Sequence, residues 1–269
     1  MPKQDKAKKK TAKTPIIISK TKKIFTLLPF YSIIHSTKLS AGLSSPKGER
    51  ITNPWAEPFI VYAVLFLPGL ASGGFFPGTA GAEEAETIRF IIPQELSRIL
   101  GFTVPALMLI GYLLVLRGGK ARLPIQLRSR DFLSLALAFP GLLGTGLFIS
   151  LVSSAISAGA SAVTVEAPKG PLAVIIMFFS CLSTGYLEEF YFRYYLSLRF
   201  KQAGLSDAPI IGLSVLLFSI CHIYEGFWGA LNAFLSGILL ALVYKKYRGL
   251  HGIAWAHGLY NAFIYLTGI

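Results

Sequence analysis

Seven apolar segments, separated by short polar breaks, constrain this chain more than any other feature. They run Pro58–Phe76, Ile99–Leu116, Phe132–Val152, Pro171–Leu198, Pro209–Ile223, Phe227–Tyr244 and His251–Ile269. Crossing a hydrocarbon layer of about 30 Å takes about 20 apolar residues. Within that layer a backbone must satisfy its own polar groups, which favours helices. The pattern predicts an all-α, polytopic transmembrane helical bundle of about seven spans. The first and fifth segments are the weakest, the first through internal Gly and Pro, the fifth through its length. Partial helices are expected around Ile24–Ile34 and Thr87–Leu96.

Composition agrees. The 269 residues are 53% hydrophobic and only 14% charged, whereas soluble domains carry about 25% charged residues. The net charge of +13 raises nucleic-acid binding as a function, but the placement of the basic residues argues against it. Twelve of the 26 Lys and Arg precede residue 51. Ten more, from Arg117 to Arg248, fall in alternate turns between segments. The intervening loops carry Glu83, Glu84, Glu86, Glu166 and Glu225. Basic residues gathered on one side are the mark of cytoplasmic loops beside anionic lipid. The chain is therefore expected in the cytoplasmic membrane, multi-pass, with its N-terminus cytoplasmic. Residues 1–57 read as a basic leader, disordered over its first 23 residues, in contact with anionic lipid and without a cleavable signal peptide. Residues 58–269 read as the transmembrane domain. The short turns leave no room for a separate catalytic domain. Cys181 and Cys221 have neither metal-ligand nor disulfide-framework spacing and read as small buried hydrophobes.

Ionisable groups within spanning helices cost about 2.5–3.5 kcal/mol each on the lenient insertion scale, so those retained point to function. In Glu188-Glu189-Phe190-Tyr191-Phe192-Arg193, Glu189 and Arg193 are four apart and able to pair on one helix face. Glu188 lies about 100° away, with no partner at helical spacing, and is the candidate general base or acid. The fifth segment places Phe218 and His222 on one face. The seventh does the same for His257 and Asn261. An imidazole and a carboxamide supply directed donors for a developing oxyanion, or an interhelical clamp. Glu188 and His222 together suit activation of a water, with His257 and Asn261 on the oxyanion. Glu188, His222 and His257 also make a familiar zinc ligand set. Both readings stand on the residues alone. Other protease chemistries fit less well. There is no H-E-x-x-H, a G-x-S-G serine site would need Gly where Phe234 stands, and Cys221 and His222, as helix neighbours, are expected to point about 100° apart.

Glu188-Glu189-x-x-x-Arg193, Phe218-x-x-x-His222 and His257-x-x-x-Asn261 resemble, in order and spacing, the three motifs of the CAAX-protease and bacteriocin-processing family. This is also called the abortive-infection family of intramembrane proteases, and it includes the type II CAAX prenyl endopeptidases. The resemblance covers about residues 170–269. It implies that Glu188 is the catalytic carboxylate, supported by Glu189, Arg193 and Phe218, that His222 helps activate water, and that His257 and Asn261 complete a site in a conical or lateral cavity. It implies hydrolysis of a membrane-embedded or lipidated peptide, CAAX-like or otherwise hydrophobic. A metal-free glutamate mechanism is favoured over zinc held by Glu188, His222 and His257. The aromatic Phe190-Tyr191-Phe192 run suggests a groove for such a substrate. Counted from the basic ends, Glu188 and His257 come out about 10–15 Å deep and His222 about 20 Å deep. The competing functions are a non-catalytic immunity or membrane binding protein of the same fold, and a proton-coupled transporter.

Overall fold

The structure is a computed structural model and describes residues 55–72, 87–88, 90–116, 123–156 and 164–267. Residues 1–54 of the basic leader, with its Ile24–Ile34 segment, lie outside these residues. The described chain is helical, apart from two-residue strands β1 (Thr87–Ile88) and β2 (Thr164–Val165), which pair in parallel. The helices are α1 (Ala56–Leu65), α2 (Leu67–Ser72), α3 (Ile92–Leu116), α4 (Ser129–Ile156), α5 (Pro171–Gln202), α6 (Asp207–Ile220), α7 (Gly226–Tyr247) and α8 (Leu250–Thr267).

Four stretches are long and apolar enough to cross a membrane: α3, α4, α5, and Ile223–Tyr247, which contains α7. Their outward faces carry exposed Met108, Tyr112, Leu147 and Leu151, as expected for surfaces that meet hydrocarbon rather than water. The chain is thus a membrane protein. Seven spans are not reproduced at this criterion. The first and fifth predicted segments become the short apolar helices Ala56–Leu65 and Asp207–Ile220. The seventh becomes α8, in which His251, His257 and Asn261 dilute the apolar run and nine residues are buried. The partial helix expected at Thr87–Leu96 is instead β1 followed by Ile92–Ser97, which continues through a π-helical turn (Arg98–Thr103) into the second predicted span.

One end of the bundle collects the basic turns. Arg130 abuts Gly249, and Lys201, Lys245 and Arg248 share one recess. Asp131 ties that end together. Its carboxylate accepts the backbone N–H of Arg128 (2.8 Å), His251 (2.9 Å) and Gly252 (3.3 Å). It thereby caps the N-termini of α4 and α8 at once, each of which has orphan donors to satisfy.

Helix α8 packs against α4 and α5. The α5–α8 contact is a small-residue crossing of the kind that lets membrane helices approach closely. A Cβ at Gly185 would lie 2.7 Å from the Ala254 carbonyl oxygen, and one at Gly258 would lie 2.8 Å from Leu182 Cα. These glycines lie beside Glu188 and His257 in sequence, so the crossing fixes where those side chains meet. On the other side, α1 packs on the second half of α5. Tyr191 Oη donates to the Pro58 carbonyl (2.7 Å), Tyr195 Oη to Glu57 (2.7 Å), and Arg199 pairs with Glu57 at 2.8 Å. Tyr191 and Phe192 are 0% exposed. The aromatic run expected to shape a substrate groove instead fills the core.

Gly258→Val should force α5 and α8 apart and lower stability by about 1–3 kcal/mol, the usual cost of overpacking. Thermal unfolding in detergent checks this. An unchanged midpoint would mean the crossing is looser than described.

Candidate active site

Helix α5 changes register where the site begins. It is α-helical to Glu189 and π-helical over Phe190–Tyr195. Such π turns occur often at functional sites. Glu189 and Arg193 pair as the spacing predicts, with Arg193 Nε 3.2 Å from Glu189 Oε2 and side chains 1% and 0% exposed. The Arg193 guanidinium lies 4.5 Å from the Phe218 ring centroid and donates to the Gly237 carbonyl at 3.3 Å. A buried guanidinium is tolerable only with such partners. Cation–π contact with Phe218 adds to the carboxylate.

His257, on α8, joins both acidic residues. Its Nδ1 is 2.9 Å from Glu189 Oε1, and its Nε2 is 3.5 Å from Glu188 Oε2. Glu189 is an acceptor already paired with a cation, so Nδ1 carries the proton and donates to it. Nε2 therefore faces Glu188 either as a lone pair or, in the imidazolium, as a second donor. The pair Glu188–His257 is satisfied when it holds one proton between its two facing atoms. Glu188 was expected to lack a mate. It lacks one along its own helix, but α8 supplies one across the crossing. Its side chain is 14% exposed, against 0% for Glu189, so Glu188 is the more reachable of the two carboxylates.

His222 was expected within a helix. Helix α6 ends at Ile220, and His222 sits in the turn before the 3-10 helix Ile223–Glu225. Its Nδ1 is 2.8 Å from the Phe218 carbonyl. A carbonyl only accepts, so Nδ1 carries a proton and donates to it. The helix end also corrects the expectation for Cys221. Its sulfur lies 3.7 Å from His222 Nδ1, because the chain no longer turns by a helical step there, and Cys221 also hydrogen-bonds the Phe218 carbonyl (3.1 Å). Phe218 links the two imidazoles, with centroids 4.6 Å from His222 and 5.8 Å from His257.

Asn261 is half-buried one turn beyond His257 and makes no side-chain hydrogen bond to a described residue. Among the described residues, no group of three or more His, Cys, Asp or Glu is arranged to hold a metal ion. The set Glu188, His222 and His257 is thus not gathered as a zinc site in this arrangement. Sequence reasoning missed polar pairs close by. Tyr186 Oη meets His251 Nδ1 at 3.0 Å, and Asn232 donates to Tyr260 Oη at 3.2 Å. It also missed Gly185 and Gly258, whose signal was present: each sits within one helical turn of a site residue.

The two carboxylates should answer mutation differently. Glu189→Ala strands Arg193 as a buried charge and should cost about 3–5 kcal/mol. Glu188→Gln keeps the shape of a partly accessible group and should shift stability by less than about 1 kcal/mol. Denaturation midpoints of the two purified variants decide this. Equal losses would make Glu188 a structural residue.

No curated protein and no solved structure matches the chain. Residues 170–263, which include Glu188, Glu189, Arg193, Phe218, His222, His257 and Asn261, match the family described as Type II CAAX prenyl endopeptidase Rce1-like, the resemblance that the three motifs carry.

Proposed function

We propose that this chain is an intramembrane endopeptidase that hydrolyses peptide bonds of membrane-associated or lipidated, CAAX-like substrates. The family match supports a peptidase. The observation that carries the catalytic reading is the Glu188–His257 contact, in which a partly accessible carboxylate faces an imidazole whose other nitrogen is fixed on Glu189.

In the resting pair Glu188 is the carboxylate and His257 the imidazolium. A water beside Glu188 loses its proton to that carboxylate as its oxygen attacks the scissile carbonyl carbon. His222, held by its Nδ1 contact to the Phe218 carbonyl, orients the same water. The carbonyl oxygen takes up negative charge and is met by His257 Nε2–H and by the Asn261 carboxamide, donors held in place before reaction. Glu188 then gives its proton to the leaving amine nitrogen as the C–N bond breaks, and the hydroxyl oxygen stays in the new carboxyl group. Glu189 and Arg193 touch no reacting atom. They hold His257 in orientation, and Phe218 fixes the spacing of the two imidazoles. No step is routed through a metal.

The seven-span arrangement belongs to the same proposal, with α1, α6 and α8 completing the bundle in a cytoplasmic membrane. The basic end then faces the cytoplasm, with the leader on anionic lipid. The 14 residues of α6 rise about 21 Å at 1.5 Å each. His222 would then stand inside the bilayer, as the depth count expects, on a turn stopping short of the far surface.

Proteoliposomes of the full chain, incubated with farnesylated and unmodified hydrophobic peptides ending in CAAX sequences, test this by mass spectrometry of the products. Wild type should cleave, and Glu188→Gln should lose at least about 10²-fold, as expected for a general base. Turnover should survive a zinc chelator, and its loss there would move the site to the metallo reading. A folded wild type that yields no product, or an equally active Glu188→Gln, contradicts the proposal.

A further inference from the structure

The basic end of the bundle holds a recess whose mouth residues take no part in the peptidase chemistry. It encloses about 20 Å³ between α5, α6 and α7, and its lining includes Arg193, Ser197, Lys201, Asp207, Lys245 and Arg248. The mouth has more cation than anion. Asp207 takes Lys201 at 2.8 Å and Lys245 at 3.6 Å. Arg248 makes no such close ion pair among the described residues and lies over the Tyr244 ring, 5.4 Å from its centroid. Among the described residues, Arg248 is the one non-glycine position in left-handed backbone (φ 56°), a conformation that persists where surrounding structure enforces it.

The inner wall supplies an independent sign. Arg193 is 1% exposed. Its Nη2 donates to Gly237, while its buried Nε, 3.2 Å from Glu189, and its buried Nη1 both lack a hydrogen-bond partner among the described residues. A buried guanidinium N–H without an acceptor is unfavourable, and an anionic oxygen is the strongest acceptor it can be given. The recess has room for little more than one oxygen atom, since a water needs about 10–15 Å³. A ligand that fits places one oxygen inside and leaves the rest of its charge among the mouth cations. A phosphate group has that form.

We propose that this recess is an anion site for a phosphate group, with one oxygen toward Arg193 Nη1 and the others held by Lys201, Lys245 and Arg248. The phosphate comes from an anionic lipid headgroup or from the free ion.

Native mass spectrometry of the detergent-purified full chain, titrated with phosphatidylglycerol, tests the proposal. The variant Lys245→Gln/Arg248→Gln removes two exposed side chains of the mouth. The control Lys9→Gln/Lys10→Gln removes the same charge from the leader. The mouth variant should weaken binding of the first lipid about tenfold or more, the order expected for two basic contacts, and the leader variant less than about twofold. Inorganic phosphate that competes with this lipid identifies the free ion as a ligand. Phosphate that fails to compete assigns the site to the headgroup. Equal weakening by both variants, or none by the mouth variant with an unchanged thermal midpoint, overturns the proposal. The readout is binding, so it stands or falls apart from peptidase activity.

Discussion

The buried sequence Arg193–Glu189–His257 is the interaction on which the arrangement of the rest depends. Two opposite charges at 1% and 0% exposure are expensive to desolvate, and their attraction offsets that cost only when the remaining donors and acceptors also find partners. Arg193 Nε and Nη1 keep no hydrogen-bond partner among the described residues, but Phe218, Gly237 and His257 meet other parts of the pair. Each belongs to a different helix, so satisfying one ion pair draws α6, α7 and α8 around the middle of α5. Once His257 donates to Glu189, the direction of its other nitrogen is no longer free, and it faces Glu188.

Two backbone features make that meeting geometrically possible. The glycine crossing of α5 and α8 brings the helices closer than any side chain would allow. The π-helical turn after Glu189 then rotates the following residues, so that Tyr191, Phe192 and Tyr195 turn into the core against α1. The acidic pair faces one set of helices while the aromatics directly after it pack against another. Truncation of α6 at Ile220 does the corresponding work for His222, setting it on a turn with Nδ1 donating to the Phe218 carbonyl. In the proposed mechanism these constraints are the preorganisation, and the chemistry requires little further movement of the protein.

Much of this was legible in the sequence, and what was not has physical causes. Apolar length located the helices, and the i,i+4 rule located the Glu189–Arg193 pair, because both depend on neighbours along one chain. The partner of Glu188 was not legible, since a contact across helices depends on the Gly185–Gly258 approach and not on spacing. Helical periodicity also misplaced Cys221 and His222, because nothing in Phe218-Ser219-Ile220-Cys221-His222 announces a helix end until Gly226 is reached. The Phe190-Tyr191-Phe192 run looked like a binding surface because it is aromatic and adjoins the acidic pair. The π turn and the docking of α1 bury it. Length and hydropathy alone do not establish α1, α6 and α8 as spans, because their apolar runs are short or diluted.

The central claim is that Glu188 cleaves peptide bonds in the membrane. The most direct measurement compares the termini of membrane proteins, by mass spectrometry, in cells carrying the wild type and cells carrying Glu188→Ala at equal expression. The account predicts termini that exist only with Glu188 and that lie at or within the membrane. Identical sets of termini, with any deletion phenotype restored by both forms, would contradict it and leave a protein that works by contact.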